Sequence, residues 1–393
     1  MQTNVVILGG ARTPMGEFNG SLSHLTEVEL GATAARGALE RTGVDAALVD
    51  HVVFGQALQS GRDAVYGARH VGLRAGLRIE VPALTVNRLC GSGIQAIVSG
   101  AQMIGLGEAA VVLAGGMESM SQAPHLARGL RSGMRLGDAT LEDSLTAALL
   151  DGHCGLMMAQ TAEVVGGLHG VTREAADAFA LLSQQRTQAA RKAGHFKDEI
   201  VPTAGRRKGA SVIVEEDEHP RPATTLASLA SLPTVFSTSL VTAGNASGIV
   251  DGAAAVVLAS EDAARRMGRP VLGRIVTWFY AGVEPRHMGM GPVPAIRGAL
   301  RKAGLSLGQI DLLEINEAFA AQYLAVAKEL NLPAERVNVN GGAIAMGHPL
   351  GATGARLTLT LLLEMRRRSV RLGIASACIG GGQGIAIIVE SVT

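Results

Sequence analysis

Short apolar runs alternate along this chain with longer segments that have helical periodicity. The runs at residues 5–8, 52–54 and 109–114 are typical of buried strands, and residues 27–41 and 92–104 separate them as candidate helices. In the second of these segments the apolar face consists of Ile94, Ile97, Val98, Ala101 and Ile104. This alternation of strands and helices predicts a layered α/β fold.

The pattern returns later in the chain as an internal repeat. The stretch RGALERTG (residues 36–43) recurs as RGALRKAG (residues 297–304), with an offset of 261 positions and five of eight residues identical. The same offset pairs Asp50 with Asp311, each of which precedes a short apolar strand. An offset that persists in this way predicts a duplicated α/β unit. We expect the two units to form a pseudo-twofold pair of sheets with shared central helices.

The first copy of the repeat is interrupted by an insertion. The strand DGAAAVV (residues 251–257) resembles QGIAIIV (residues 383–389), but in the first copy it is delayed by a long segment. The delay predicts an α-rich insertion that contains a helix at residues 173–193. The predicted parts are residues 1–119 with 247–270 for the first half, residues 120–246 for the insertion, and residues 271–393 for the second half.

Composition narrows the class of protein. A hydrophobic share of 47% is ample for a large core, and a net charge of +1 disfavours nucleic acid as a partner. Three cysteines cannot form a disulfide framework and suit a reducing compartment. The first ten residues indicate a strand rather than a signal peptide, and no apolar window is long enough for a membrane span. We therefore expect a cytoplasmic protein.

Four short motifs combine a reactive side chain with glycine or turn-forming residues. They are NRLCGSG (residues 87–93), NEAF (residues 316–319), GHPLG (residues 347–351) and CIGGG (residues 378–382). In the repeated unit all four lie at or just beyond the carboxyl ends of predicted strands, where α/β sheets place ligands. Two cysteines, a histidine and an asparagine are sufficient for acyl transfer through a thioester, if the fold brings them together.

Cys90 lies between a predicted strand at residues 83–86 and a predicted helix start. A thiol there faces unpaired backbone N–H groups and the positive end of the helix dipole, which predicts a lowered pKa. A lone cysteine is more often structural, but this position favours a nucleophile. Taken alone, Cys378 also fits a small core residue, His348 a turn residue, and Asn316 the cap of the helix that follows it.

The remaining candidates give weaker signals. Cys154, beside His153, is interpreted as structural or incidental. Neither a C-x-x-C nor an H-E-x-x-H spacing occurs, so we expect no metal site. The glycine-rich stretch GGGQG (residues 380–384) lies within a predicted hairpin and is therefore not a dinucleotide-binding fingerprint.

Taken in this order, the four motifs resemble those of the thiolase family. The similarity extends over essentially the whole chain, including VTAGNASG (residues 241–248) and GGAIA (residues 341–345), and is greatest to 3-ketoacyl-CoA thiolases of mitochondrial type and their bacterial relatives. The resemblance implies a duplicated five-layer α-β-α-β-α fold whose inserted loop domain binds CoA. It also implies CoA thioesters as substrates, no permanently bound cofactor, and a homodimer or homotetramer.

The resemblance further implies a role for each reactive residue. Cys90 would carry the acyl group with His348 as its base, and Cys378 would move a proton at the neighbouring carbon. His348, with a water held by Asn316, would form one oxyanion site, and the backbone N–H groups of Cys90 and Gly380 the other. The implied reaction is thiolytic cleavage of a 3-ketoacyl-CoA to acetyl-CoA and a shortened acyl-CoA, as in β-oxidation, or the reverse condensation.

Contacts with CoA are also implied by the resemblance. Arg221 and Ser228 would contact its adenine and phosphate end. The residues implied along the pantetheine channel are Met158, Ala243, Ser247 and Phe319. The loop that begins at LMMA (residues 156–159) lacks the histidine of biosynthetic-type thiolases.

Other functions stay open at this point. The missing histidine weakens, without excluding, an acetoacetyl-CoA-specific biosynthetic thiolase. A ketoacyl-synthase-like condensing enzyme is disfavoured by Cys378 in its glycine context. A non-catalytic acyl-CoA binder is disfavoured because all four reactive residues are present.

Overall fold

The computed structural model describes residues 4–392, so the predicted domain ends at residues 1–3 and at residue 393 lie outside the described residues. The first half contains β1 (Val5–Arg12), β2 (Gly16–Glu17), α1 (Glu27–Thr42), β3 (His51–Gly55), α2 (Gly67–Arg74), β4 (Ala83–Val86), α3 (Ser92–Leu106) and β5 (Val111–Ser119). The middle of the chain contains β6 (His125–Leu126), β7 (Glu142–Asp143), α4 (Ser144–Ala148), β8 (Leu150–Asp151), β9 (Leu156–Met157), α5 (Met158–Leu168), α6 (Arg173–Lys192), β10 (Thr203–Arg207), β11 (Ala210–Val214) and α7 (Leu226–Ala230). The remainder contains β12 (Val250–Ser260), α8 (Glu261–Met267), β13 (Gly273–Gly282), α9 (Pro292–Ala303), β14 (Leu312–Ile315), α10 (Ala320–Leu330), α11 (Ala343–Met346), α12 (Leu350–Arg368), β15 (Leu372–Ile379) and β16 (Gln383–Ser391).

Two strands of the first half are longer than their apolar runs. β1 continues beyond residue 8 and β5 beyond residue 114, through glycines and polar residues that stay mostly buried. Both extensions pair antiparallel with β12, which satisfies their backbone groups. Hydrophobicity alone therefore underestimates the length of these strands, because their partner β12 is distant in the sequence.

Equivalent hydrogen bonds occur in the two halves and mark the duplication. Asp50 accepts hydrogen bonds from the backbone N–H groups of Ala110 and Val111, at 2.8 and 3.0 Å. Asp311, 261 positions later, accepts them from Arg371 and Leu372, at 3.0 and 2.8 Å. In each half the carboxylate precedes one strand, β3 or β14. It binds the backbone N–H groups at the start of the neighbouring strand, β5 or β15.

The strands of both halves form one hydrogen-bonded path rather than the two separate sheets that we expected. The order is β14-β15-β16-β13-β1-β12-β5-β3-β4, with β2 paired to β12. The halves join where β1 meets β13, at the pairs Val6 with Arg274 and Ile7 with Gly273. This short junction closes the gap between two otherwise similar sheets.

Helices cover the sheet in layers, as the five-layer prediction requires. The outer face of the first half packs against α1 and α2, and the outer face of the second half packs against α9 and α10. The central layer is α3 and α12, whose apolar side chains form one core with β5, β12, β15 and β16. The predicted α/β architecture is confirmed.

The two central helices approach each other at glycines related by the repeat. A Cβ on Gly93 would lie 2.4 Å from the backbone nitrogen of Ala355, and a Cβ on Gly354 would lie 2.3 Å from that of Ile94. No side chain fits at either position. The amino ends of α3 and α12 therefore meet near the pseudo-twofold axis.

Glu118, at the end of β5, supports the start of α12. Its carboxylate is buried and accepts hydrogen bonds from the backbone N–H groups of Ala57, Leu58 and Gly351, at 3.0, 3.0 and 2.8 Å. Burial raises its pKa to about 8, although the three N–H groups oppose that rise. This one side chain thus ties the first half to the amino end of a second-half helix.

One helical stretch, Leu89–Leu106, is long and apolar enough by length and composition to cross a membrane. It contains α3, and just over half of it, 56%, is buried inside the protein. A helix in the middle of a large core passes the same test, and α3 packs against α12 in the central layer.

The segment between β5 and β12 contains the short strands β6 to β11 and the helices α4 to α7. The predicted helix at residues 173–193 corresponds to α6, and Thr172 accepts the hydrogen bond of the Ala175 N–H as its N-cap. The division of the chain into two halves and an insertion stays a prediction.

Candidate active site

A cavity of about 480 Å³ lies between the carboxyl ends of the strands and the segment that connects β5 with β12. Its lining includes Cys90, His348, Cys378 and Gly380, which come from motifs far apart in the sequence. The residues implied for the pantetheine channel line it as well: Met158, Ala243, Ser247 and Phe319. The structure therefore brings most of the candidate residues into one site.

Cys90 lies in a single 3₁₀ turn, Leu89–Gly91, between β4 and α3. Leu89 has a φ of 45°, a left-handed conformation that costs a non-glycine residue about 1–2 kcal/mol. Side chains hold this turn: Asn87 Oδ1 accepts from Leu89 N at 2.9 Å, and Ser92 Oγ donates to Leu89 O at 2.6 Å. Cys90, in the middle of this turn, lines the cavity.

The predicted lowering of the Cys90 pKa is wrong. Burial raises the pKa of Cys90 to about 11, although the backbone N–H groups of Gly380 and of Cys90 itself act to lower it, and the Glu118 carboxylate adds to the rise. The helix start is present, but apolar neighbours such as Leu58 and Leu350 remove water from the sulfur. Cys90 is therefore a thiol at neutral pH and needs a base.

His348 lines the same cavity as Cys90, and both of its ring nitrogens have a neighbour within hydrogen-bond distance. Nδ1 is 2.6 Å from Thr353 Oγ1, and that hydroxyl donates to Pro349 O at 2.9 Å. A Thr353 hydroxyl hydrogen directed at Pro349 O assigns the ring proton to Nδ1, so Nε2 is unprotonated and its lone pair is a hydrogen-bond acceptor. Asn316 Nδ2 lies 3.3 Å from Nε2 and donates to it.

The imidazole of His348 is neutral in this environment. Burial lowers its pKa to about 3, and the positive charge of Arg356 contributes to the shift. Arg356 is itself buried and paired with Glu314 at 3.2 Å. A neutral ring with Nε2 unprotonated is the form that can accept a proton from a thiol.

Asn316 is fully buried and caps no helix. The helix expected directly after it begins instead at Ala320, with Phe319 in the N-cap position. Its backbone N–H is bonded to Ser376 O at 2.9 Å, and its side chain is left facing His348. The arrangement frees the Asn316 amide for the site.

Cys378 is the penultimate residue of β15 and is buried among Met288, Ala318 and Phe319. Burial raises its pKa, and the nearby Cys90 sulfur adds to the effect. It is consequently a protonated thiol at neutral pH. A thiol of this kind can donate a proton to a strongly basic carbon and take one back.

The three glycines after Ile379 have different reasons to be glycine. Gly381 and Gly382 have φ of 79° and 80°, and a Cβ on Gly382 would lie 2.3 Å from Val283 O. Gly380 is not left-handed, and a Cβ there would meet Leu89 and Met158 at 3.3 Å. The turn itself demands the last two glycines, while the first keeps the backbone next to Cys90 uncovered.

Two predicted CoA contacts are not brought into the cavity. Arg221 is exposed and forms an ion pair with Glu17, which lies at the cavity mouth. Ser228 is exposed in α7, where it accepts from Thr225 N at 3.0 Å. Of the two, only Arg221 is connected to the mouth, through Glu17.

Sequence reasoning missed several residues of the site. Thr353 orients His348, and Met288, His219 and Phe236 line the cavity. For Thr353 a signal was present, because it lies only five residues after His348 in the sequence. The others come from loops whose position depends on the whole fold.

Within residues 4–392, no group of three or more His, Cys, Asp and Glu side chains is placed to hold a metal ion.

Comparison with known proteins gives consistent matches across the chain. The thiolase N-terminal domain matches residues 5–262, and the thiolase C-terminal domain matches residues 269–391. The chain is 53% identical over 389 residues to the human mitochondrial 3-ketoacyl-CoA thiolase, and 50% identical over 391 residues to an acetyl-CoA acetyltransferase of Pseudomonas aeruginosa, with 98% of each chain covered in both cases.

Solved structures give the same result. The crystal structure of human mitochondrial 3-ketoacyl-CoA thiolase matches with a TM-score of 0.98 and covers 100% of both chains. The same human enzyme in complex with CoA matches with a TM-score of 0.97 at 53% identity, covering 100% of this chain and 98% of that one.

Proposed function

The chain belongs to the thiolase family of acyltransferases, and we propose that it cleaves 3-ketoacyl-CoA with CoA through an acyl-thioester on Cys90. One observation carries the assignment of residues: Cys90, His348 and Cys378 line one cavity although they come from different halves of the chain. The same residues serve the condensation of two acetyl-CoA molecules, because each step is reversible.

In the first half-reaction Cys90 attacks the 3-keto carbon of the substrate. His348 Nε2 takes the thiol proton as the sulfur–carbon bond forms, because the raised pKa of Cys90 leaves little free thiolate. The bond between C2 and C3 then breaks and its electron pair moves to C2. Cys378 donates its proton to that carbon, and acetyl-CoA leaves while the acyl group stays on Cys90.

In the second half-reaction the acyl group is transferred from the Cys90 sulfur to the sulfur of CoA. The Cys378 thiolate takes the proton of the CoA thiol, whose sulfur attacks the acyl carbon. The Cys90 sulfur leaves and recovers its proton from His348. The shortened acyl-CoA dissociates and all three side chains return to their starting protonation states.

Both half-reactions place negative charge on an oxygen, so hydrogen-bond donors must already be in position. His348 becomes a donor through Nε2 once it has taken the proton, and Asn316 Nδ2 lies beside it at 3.3 Å. The backbone N–H groups of Cys90 and Gly380 supply the second set. The direction of the Gly380 N–H toward the Cys90 sulfur supports this assignment.

CoA is a substrate in this proposal, and its pantetheine arm would run along Met158, Ala243, Ser247 and Phe319. Arg221 would reach the phosphates by exchanging its partner Glu17 for them, and Ser228 would lie further out along the insertion. The relative solved with CoA, at 53% identity over the whole chain, supports this assignment.

We place the enzyme in fatty-acid degradation, in the cytoplasm of a bacterium, as a homodimer or homotetramer. Similarity to bacterial acetyl-CoA acetyltransferases supports the location, and similarity to the human 3-ketoacyl-CoA thiolase supports the degradative role. The exposed apolar residues Leu84, on the edge strand β4, and Leu136 support an oligomer. Cell fractionation and light scattering test these points.

The function is tested by following acetyl-CoA release from acetoacetyl-CoA and CoA, and then from 3-ketoacyl-CoAs of increasing chain length. We expect Cys90→Ser to lower the rate by about 10³-fold or more, because an alcohol replaces the thiol nucleophile. Cys154→Ser is the matched control and should keep the wild-type rate. A Cys90→Ser protein that cleaves at the wild-type rate would refute the assignment.

A further inference from the structure

Arg88, two residues before Cys90, connects the two halves of the chain beside the site. Its Nε donates to Gln95 Oε1 on α3 at 2.8 Å, and its Nη1 donates to Gln383 Oε1 at 3.1 Å. Its guanidinium carbon also lies 4.8 Å from the centroid of the Tyr280 ring on β13. One half-buried side chain thus holds an element of the first half and two strands of the second.

Arg88 and its partner Gln383 each lie close in sequence to a backbone donor of the second oxyanion site, the N–H of Cys90 and the N–H of Gly380 respectively. At one end, the backbone of Arg88 donates to Ser92 Oγ at 2.8 Å and accepts from Gly91 N at 2.9 Å, so it is part of the turn around Cys90. At the other end, Gln383 is the first residue after the glycine turn that contains Gly380, and it pairs with Ile379 across the hairpin.

The turn around Cys90 needs such a restraint. Asn87 and Ser92 hold the left-handed Leu89 within its own turn, but neither side chain joins that turn to the Gly380 turn. Between the turns, Gly91 packs against Ile379, and the hydrogen bond from Arg88 to Gln383 adds a polar connection to this apolar contact. The partners of the Arg88 side chain are Gln95, Gln383 and the Tyr280 ring, and the lining of the cavity in residues 4–392 does not include it.

We propose that Arg88 is a positioning residue for acyl transfer, which locks the Cys90 turn onto the Gly380 turn so that their two backbone N–H groups converge on one oxygen. This inference rests on the proposed function. A donor that is displaced by a fraction of an ångström stabilises the transition state less, whereas the contacts of CoA with the channel residues do not involve this donor.

The test compares Arg88→Ala, Arg88→Lys and Gln383→Ala in steady-state thiolysis of acetoacetyl-CoA. We expect Arg88→Ala to lower kcat by about tenfold to a hundredfold with KM nearly unchanged. Arg88→Lys should recover part of kcat, because lysine keeps the cation over Tyr280 and one hydrogen bond. Gln383→Ala should reproduce the kcat loss in a protein that retains Arg88, and the double variant should be no slower than Arg88→Ala alone.

Lys302→Ala is the matched control, because Lys302 makes the same kind of contact, 4.8 Å from the Trp278 ring on the same strand, away from the site. It should leave kcat and KM unchanged. A wild-type kcat in Arg88→Ala and Gln383→Ala would overturn the inference, and so would a raised KM with an unchanged kcat. If wild type and Lys302→Ala cleave the substrate while Cys90→Ser does not, the proposed function stands whatever the Arg88 result.

Discussion

The ring proton of His348 is fixed by a hydroxyl on the first turn of α12. Thr353 Oγ1 accepts a hydrogen bond from Nδ1 and donates one to Pro349 O. This leaves Nε2 as the base. Replacing this hydroxyl with a methyl group leaves a buried N–H without a partner and removes the preference for one tautomer. The catalytic base thus depends on a side chain that does not touch the substrate.

We therefore expect Thr353→Val to lower kcat by about tenfold to a hundredfold, since part of the enzyme would hold its proton on the wrong nitrogen. Thr358→Val is the control, because Thr358 is equally buried and makes the same bond to the backbone four residues earlier, at 2.9 Å, away from the site. Steady-state thiolysis measures both. Equal kcat values in the two variants would contradict the role of Thr353.

The raised pKa of Cys90 predicts how its alkylation depends on pH. A thiol with a pKa of about 11 has less thiolate at each neutral pH than a free cysteine, so its reaction with iodoacetamide should keep accelerating as pH rises toward 11. A free cysteine peptide should level off earlier, near its pKa of about 8.5. The rate is followed on the Cys90 peptide by mass spectrometry. A plateau below pH 8 would show that the sulfur is stabilised as a thiolate instead.

Single residues could be predicted from the sequence where a motif gave both the side chain and its position. Strand ends and neighbouring glycines were enough to predict that Cys90, His348 and Cys378 meet, and the structure places them in one cavity. The direction of the Cys90 pKa could not be predicted, because it depends on water excluded by Leu58 and Leu350, which are distant in the sequence.

At the scale of elements, α3 and α12 are held together by a contact that only glycine permits. Gly93 and Gly354 lie against each other's helix, with backbone atoms within 2.4 Å of where each Cβ would be. Because Cys90 precedes α3 and His348 precedes α12, this approach also sets the distance between nucleophile and base. The repeat offset of 261 positions relates the two glycines, but the sequence contains no sign that they touch.

Gly93→Ala should consequently lower the free energy of unfolding by about 1–3 kcal/mol, since the backbone of α12 must move to admit a methyl group. Gly105→Ala is the control in the same helix. Gly105 is exposed with nothing within 4 Å of a Cβ, so alanine there should be neutral or stabilise by about 0.5–1 kcal/mol. Urea unfolding compares the two. Equal stabilities would contradict the close approach.

At the scale of the whole molecule, duplication explains why reactive residues from distant motifs share one site. The repeated unit places a strand end and a helix start near the pseudo-twofold axis in each half, and the first half supplies Cys90 while the second supplies His348, Cys378 and Asn316. The sequence predicted the duplication and the layers. It could not predict that β1 and β13 would join both halves into one sheet, because only two residue pairs make that junction.

The division of labour between the two cysteines is tested most directly by trapping the acyl group. The protein is mixed with acetoacetyl-CoA in the absence of free CoA and quenched in acid, and its peptides are analysed by mass spectrometry. The account predicts one acetyl group on the peptide that contains Cys90, with one acetyl-CoA released per site, and an unmodified Cys378. An acetyl group on Cys378, or acetyl-CoA release with Cys90 unmodified, would contradict it.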